Sequence, residues 1–97
     1  SQTETESSVP TEYSLEQNFP NPFNPQTKIS YALPQSGVVT IKVYDITGRE
    51  AMTLVNQYQE AGRYVASFDG SNFASGVYFY RINAAGFSKT LRMFLVK

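Results

Sequence analysis

The stretch VVTIKVYDITGRE, residues 38–50, decides how this chain folds. Val39, Ile41 and Val43 alternate with Thr40, Lys42 and Tyr44, and a period of two places the aliphatic set on one face of a strand. Asp45-Ile46-Thr47-Gly48 follows, with Asp at the first and Gly at the fourth position of a type I turn. A half-buried strand closed by a tight turn predicts a hairpin, the unit of an antiparallel sheet with one wet face.

The same alternation recurs on both sides. TKISYALP (27–34) sets Ile29, Tyr31 and Leu33 against Lys28, Ser30 and Ala32, and Pro34 ends it. EAMTLVNQ (50–57) reads as a weaker strand, and GRYVASFD (62–69) alternates again through Tyr64, Ala66 and Phe68. DGSNFASG (69–76) is turn chemistry, and VYFYRINA (77–84) sets Tyr78, Tyr80 and Ile82 against Val77, Phe79 and Arg81. Ala84-Ala85-Gly86 is a short hairpin loop before FSKTLRMFLVK (87–97), with Leu91, Met93 and Leu95 on one face. No stretch holds a helical period, because β-branched and aromatic residues dominate each periodic segment. The expected fold is all-β: an immunoglobulin-like antiparallel β-sandwich of about seven strands. It has neither the Cys nor the Trp of antibody domains.

Composition bounds the function. The 97 residues form one domain, and 41% apolar content is enough for a core. Eight basic and eight acidic residues cancel, which argues against a nucleic-acid footprint. No Cys excludes disulfides and thiolate metal sites, and no His removes the commonest general base and metal ligand. No apolar run is long enough to span a bilayer as a helix. Residues 1–12, SQTETESSVPTE, carry one aliphatic residue, Val9, and read as a disordered polar linker ahead of a domain at 13–97. A start inside such a stretch, without Met or leader, reads as a piece of a longer protein.

NFPNPFNPQT (18–27) needs its own reading. Pro20, Pro22 and Pro25 fix φ and remove three backbone donors, so the segment is no interior strand. Pro22 and Pro25 fit a P-x-x-P ligand, but Phe19 and Phe23 directly before a strong strand fit an internal clip better. The expectation is that both Phe rings pack on the sandwich while the Asn side chains tie up turn backbone.

The chain lacks the parts of an enzyme, and no metal or other cofactor is expected. Asp45 and Asp69 sit in turns, while Glu12, Glu16, Glu50 and Glu60 are isolated. Ser75-Gly76 lacks both the nucleophile-elbow frame and a base. Tyr44, Tyr58, Phe79 and Phe94 read as core or cross-strand partners rather than sugar platforms, which favour Trp. The last strand is apolar on both faces, since Phe94 and Val96 oppose Leu91, Met93 and Leu95. Either both faces are covered inside the sandwich, or the edge is presented to a partner.

LEQNFPNPFNPQTKISYALP (15–34), VYDITGRE (43–50), EAGRYVASFDGSNFASGVYFYRI (60–82) and SKTLRMFLVK (88–97) occur in that order. Together they resemble the type A carboxy-terminal sorting domain of the type IX secretion system of Bacteroidetes and related phyla. The family's glycine-and-tyrosine segments fall on Gly62, Tyr64 and Val65, and on Gly76, Tyr78 and Tyr80. Its basic-then-apolar terminus falls on Lys89, Arg92, Met93, Leu95 and Lys97, with Arg92 standing alone where two adjacent basic residues are common.

The resemblance implies a passive address label on a cargo that crosses the inner membrane and folds in the periplasm. The outer-membrane translocon and its shuttle proteins then recognise the label, and a surface sortase cuts the linker. The product ends at the cell surface or outside the cell. Apart from the resemblance, the domain is expected to be a monomer. The alternatives are a structural or carbohydrate-binding immunoglobulin-like module of a secreted enzyme, and a flagellar hook-cap insert with a similar hairpin.

Overall fold

The computed structural model describes residues 9–97. Residues 1–8 of the expected linker lie outside the described residues; Val9 is exposed and Pro10 is buried. Seven strands occur among the described residues: β1 (Ser14–Leu15), β2 (Gln26–Leu33), β3 (Gly37–Tyr44), β4 (Glu50–Gln59), β5 (Gly62–Asp69), β6 (Gly76–Ala84) and β7 (Phe87–Leu95). All ladders between them are antiparallel, in two sheets of order β1-β2-β5 and β4-β3-β6-β7. The chain changes sheet after β2, β4 and β5, so β2 and β5, with β1 at the edge, form one sheet beside another built from β3, β4, β6 and β7. That is the crossing pattern of an immunoglobulin-like sandwich.

The alternation seen in sequence becomes the core. Ile29, Tyr31 and Leu33 of β2 and Ala66 and Phe68 of β5 face Val39, Ile41 and Val43 of β3. Tyr78, Tyr80 and Ile82 of β6 and Met93 and Leu95 of β7 complete the second inner face. Each Val, Leu, Ile, Phe or Met among them contributes about 1.5–3 kcal/mol on full burial. The two-residue strand β1, which alternation over so short a span cannot signal, adds Leu15 at 2% exposure.

Turn chemistry sets the registers. In the β3–β4 turn Gly48 N–H donates to Asp45 C=O at 2.9 Å. The Asp45 carboxylate accepts from Thr47 N–H at 2.9 Å and Arg49 N–H at 3.1 Å, and the Thr47 hydroxyl beside it holds its pKa below the ordinary carboxylate value. The β6–β7 loop is Ala85-Gly86, with φ of 46° and 87°, a primed turn whose twist matches the strands it joins. Strand β4 pairs with β3 through register shifts at Ile41/Lys42 and Val43/Tyr44. These bulges break the period of two, which is why β4 reads weakly in the sequence.

One expectation is corrected. Phe23 is buried at 1% exposure, but Phe19 is 80% exposed and does not pack on the sandwich. Phe19 contributes through its backbone, exchanging hydrogen bonds with Lys28: N–H to C=O at 2.9 Å and the reverse at 3.0 Å. Phe19 pairs opposite Lys28, which is exposed, so its ring stands on the solvent face of the first sheet with Lys28.

Candidate recognition site

Residues 16–25 run along one side of the sandwich and join its two sheets. After Phe19 has bridged to β2, Phe23 crosses to β7, donating its N–H to Phe94 C=O and accepting from Val96 N–H, each at 2.9 Å. Asn21 Oδ1 accepts from Phe94 N–H at 3.0 Å, and Gln17 Nε2 donates to Arg92 C=O at 2.7 Å. Pro25 C=O takes Gly70 N–H at 2.8 Å. The prolines occupy positions with no donor to offer, while Phe19 and Phe23 supply the N–H groups that pair. Pro20, Pro22 and Pro25 therefore set the path, and the residues between them make a clasp over the edge of β7. The Phe19–Pro20, Asn21–Pro22 and Asn24–Pro25 bonds are all cis.

A buried polar cluster anchors the clasp. The Tyr80 hydroxyl, from a fully buried side chain, donates to Glu16 C=O at 2.7 Å and accepts from Asn18 N–H at 2.8 Å. Asn18 Nδ2 donates to Thr27 Oγ1 at 3.0 Å and Pro20 C=O at 3.1 Å, and the Thr27 hydroxyl donates to Pro20 C=O at 2.9 Å. Burial pushes the Tyr80 phenol up to about 12, against the opposing effect of the Asn18 N–H. The Asn18 bond to Pro20 C=O is the backbone tie expected of the Asn side chains in this segment, whereas the partnership with Thr27 has no local signal in the sequence.

The two glycine-and-tyrosine segments are one device used twice. Gly62 and Gly76 have φ of 154° and 151°, a region that side-chain-bearing residues avoid. Two residues on, Tyr64 donates its hydroxyl to Glu60 C=O at 2.6 Å and Tyr78 to Ala74 C=O at 2.7 Å. Each phenol returns to the carbonyl four residues back and pins the turn from which its strand emerges, a tyrosine corner at the start of β5 and of β6. Tyr78 is buried, whereas Tyr64 is half-buried and stacks on Tyr31 with centroids 5.5 Å apart. Val65, its neighbour, is 61% exposed.

The last strand divides by parity. Met93 and Leu95 are buried, while Arg92, Phe94 and Val96 on the other parity are exposed; Lys89 shares the inner parity but lies exposed beyond half-buried Leu91. Phe94 N–H and C=O both point to the clasp, so by antiparallel alternation the backbone of Arg92, Thr90 and Ser88 also faces away from β6. Among the described residues the clasp covers this edge only from Arg92 to Val96, leaving the Ser88 and Thr90 backbone groups on an open edge. Of the two readings of this strand, inner-face burial holds for Met93 and Leu95, and outer-face burial does not hold for Phe94 and Val96. Lys97 is held, its ammonium donating to Ser71 C=O at 2.7 Å and Phe73 C=O at 2.8 Å.

Among the described residues no group of three or more His, Cys, Asp or Glu is placed to hold a metal ion, and no helix is long and apolar enough to cross a membrane. Asp69 accepts from Ser71 N–H at 2.9 Å, and the Ser71 hydroxyl, ahead of that N–H, lowers its pKa. What the arrangement offers is a shape: two pinned corners, a clasped terminal strand and exposed side chains around them. A comparison with curated proteins finds no match. Residues 17–97 match the family described as the secretion system C-terminal sorting domain. The match begins beside Asn18 and runs through the clasp, both tyrosine corners and β7, and the chain belongs to this family of type IX secretion sorting domains.

Proposed function

We propose that the folded domain, residues 13–97, is a non-catalytic label read by the outer-membrane translocon and its shuttle proteins after the cargo has passed through the periplasm. A surface sortase then cuts within residues 1–12. Family membership carries the general role: a sorting signal that interacts with the type IX system and accompanies a protein to the cell surface or beyond. The division of the motif residues supports the finer reading. Tyr78, Tyr80, Met93 and Leu95 are buried and serve the fold, whereas Val65, Lys89 and Arg92 are exposed and open to a partner. Gly62, Tyr64 and Gly76 shape the corners, and Lys97 ties the chain end to the loop before β6.

The test is a fusion of residues 1–97 behind a periplasmic reporter in a bacterium that has the system. Reporter should reach the surface or medium, and Lys89→Ala with Arg92→Ala should lower its export while leaving the melting temperature unchanged. A reporter retained in the periplasm as fully with the domain as without it refutes the sorting role. Export unchanged by the double substitution refutes the reading of these two side chains.

A further inference from the structure

The outer face of the β4-β3-β6-β7 sheet carries two cross-strand rows, of which the sorting reading above uses Arg92 alone. One row is Tyr44, Phe79 and Arg92, directly opposite one another on β3, β6 and β7; the next is Lys42, Arg81 and Thr90. Neighbouring strands lie about 4.8 Å apart, so each row spans about 10 Å. The Arg81 guanidinium lies 5.8 Å from the Tyr44 ring centroid, and its Nε donates to Thr90 Oγ1 at 2.9 Å. Arg92 lies 5.5 Å from the Phe94 ring centroid. Tyr44, Gly48, Phe79, Arg81 and Thr90 line a shallow depression on this face. Its nearest carboxylates are engaged: Glu50 pairs with Lys42 at 3.2 Å, and Asp45 is bound into its own turn.

We propose that this face binds an acidic polysaccharide, one whose sugar rings carry carboxylate groups. Tyr44 and Phe79, half-buried and directly opposite across the β3–β6 ladder, offer apolar surface for a pyranose face, a use the sequence reading did not favour for want of Trp. Arg81, already oriented by a ring and a hydroxyl, presents its remaining N–H groups for a two-pronged hydrogen bond to a carboxylate, with Arg92 supplying a second cation. An acidic peptide fits less well. An extended peptide binds a sheet through backbone groups at an edge, and β3 and β6 are interior strands whose backbone is committed to ladders on both sides. The face therefore offers side chains alone, suited to rings and anions. This inference does not rest on the sorting reading.

The experiment is titration of the 97-residue chain with oligogalacturonate, followed by calorimetry and by amide and Arg Nε chemical shifts, with neutral dextran and poly-glutamate in parallel. Saturable binding of oligogalacturonate is expected, with shifts centred on Tyr44, Phe79 and Arg81, and none of dextran. Arg81→Gln and Phe79→Ala, both outer-face changes checked for an unaltered circular dichroism spectrum, should each weaken binding by about tenfold. No saturation by oligogalacturonate, equal affinity in both variants, or poly-glutamate binding as tightly overturns the proposal.

Discussion

Replacing Tyr80 by Phe removes one oxygen atom and should loosen one whole side of the sandwich. Among the described residues the hydroxyl is the sole side-chain partner of two backbone groups in the clasp, Glu16 C=O and Asn18 N–H. Glu16 is exposed, so its carbonyl can turn to water, and losing that bond costs about 0.5–1.5 kcal/mol. Asn18 is 2% exposed, and its orphaned N–H adds about 1–3 kcal/mol. The sum is about 2–4 kcal/mol, which for a domain of this size lowers Tm by roughly 10–30 °C. Tyr78→Phe is the internal control, because the Ala74 carbonyl it abandons is exposed and the cost should be about 1 kcal/mol. Urea unfolding measures the free energies, and amide exchange locates the damage. Phe23 and Val96 should lose protection in Tyr80→Phe before the β3 amides do. A Tm for Tyr80→Phe within about 2 °C of the parent, or a loss no larger than that of Tyr78→Phe, refutes the view that this hydroxyl anchors the clasp.

Other outcomes follow from the same geometry. Phe23→Ala should cost about 3–5 kcal/mol in urea unfolding, and Phe19→Ala less than about 0.5, because only the first ring is buried. Gly76→Ala should cost about 1–3 kcal/mol from backbone strain alone, since a Cβ there meets nothing within 4 Å; a neutral change would mean that φ relaxes freely. For pH, Tyr80 and Tyr31 are both raised by burial, so the neutral phenol is favoured by folding. The Tyr80 contribution is fully present below about pH 10 and is lost as pH rises through about 12. The alkaline fall in Tm should be shallower in Tyr80→Phe, and parallel curves would remove Tyr80 as its source.

Most of the sandwich was legible because its strands obey a local rule. Where one face is buried, period two writes the burial pattern into consecutive residues, as in β2, β3, β5 and β6. The rule weakened at β4, where bulges interrupt the period, and fell silent for Ser14–Leu15, which is too short to show one. The corners were half legible. Gly-x-Tyr at two strand starts marked backbone need and packing, but the bond from each phenol to the carbonyl four residues back is a matter of how the turn folds. The clasp was the hardest part to read. Phe19 and Phe23 look alike in the sequence, yet one is 80% exposed and the other 1%, because the segment changes sheets between them.

By itself the sequence determined the all-β class, the faces of most strands, the lack of Cys and His chemistry, and the resemblance to a sorting domain. Those properties depend on residue type and on spacing of a few positions, which a linear string preserves. Only the tertiary structure decided that Tyr80 meets Asn18, that Asn21 and Gln17 cover the edge of β7, that Lys97 ties down the loop before β6, and that Tyr44, Phe79 and Arg92 form a row. Their partners lie up to 75 residues apart in the chain, and no local periodicity encodes a contact that exists only after the two sheets have closed on each other.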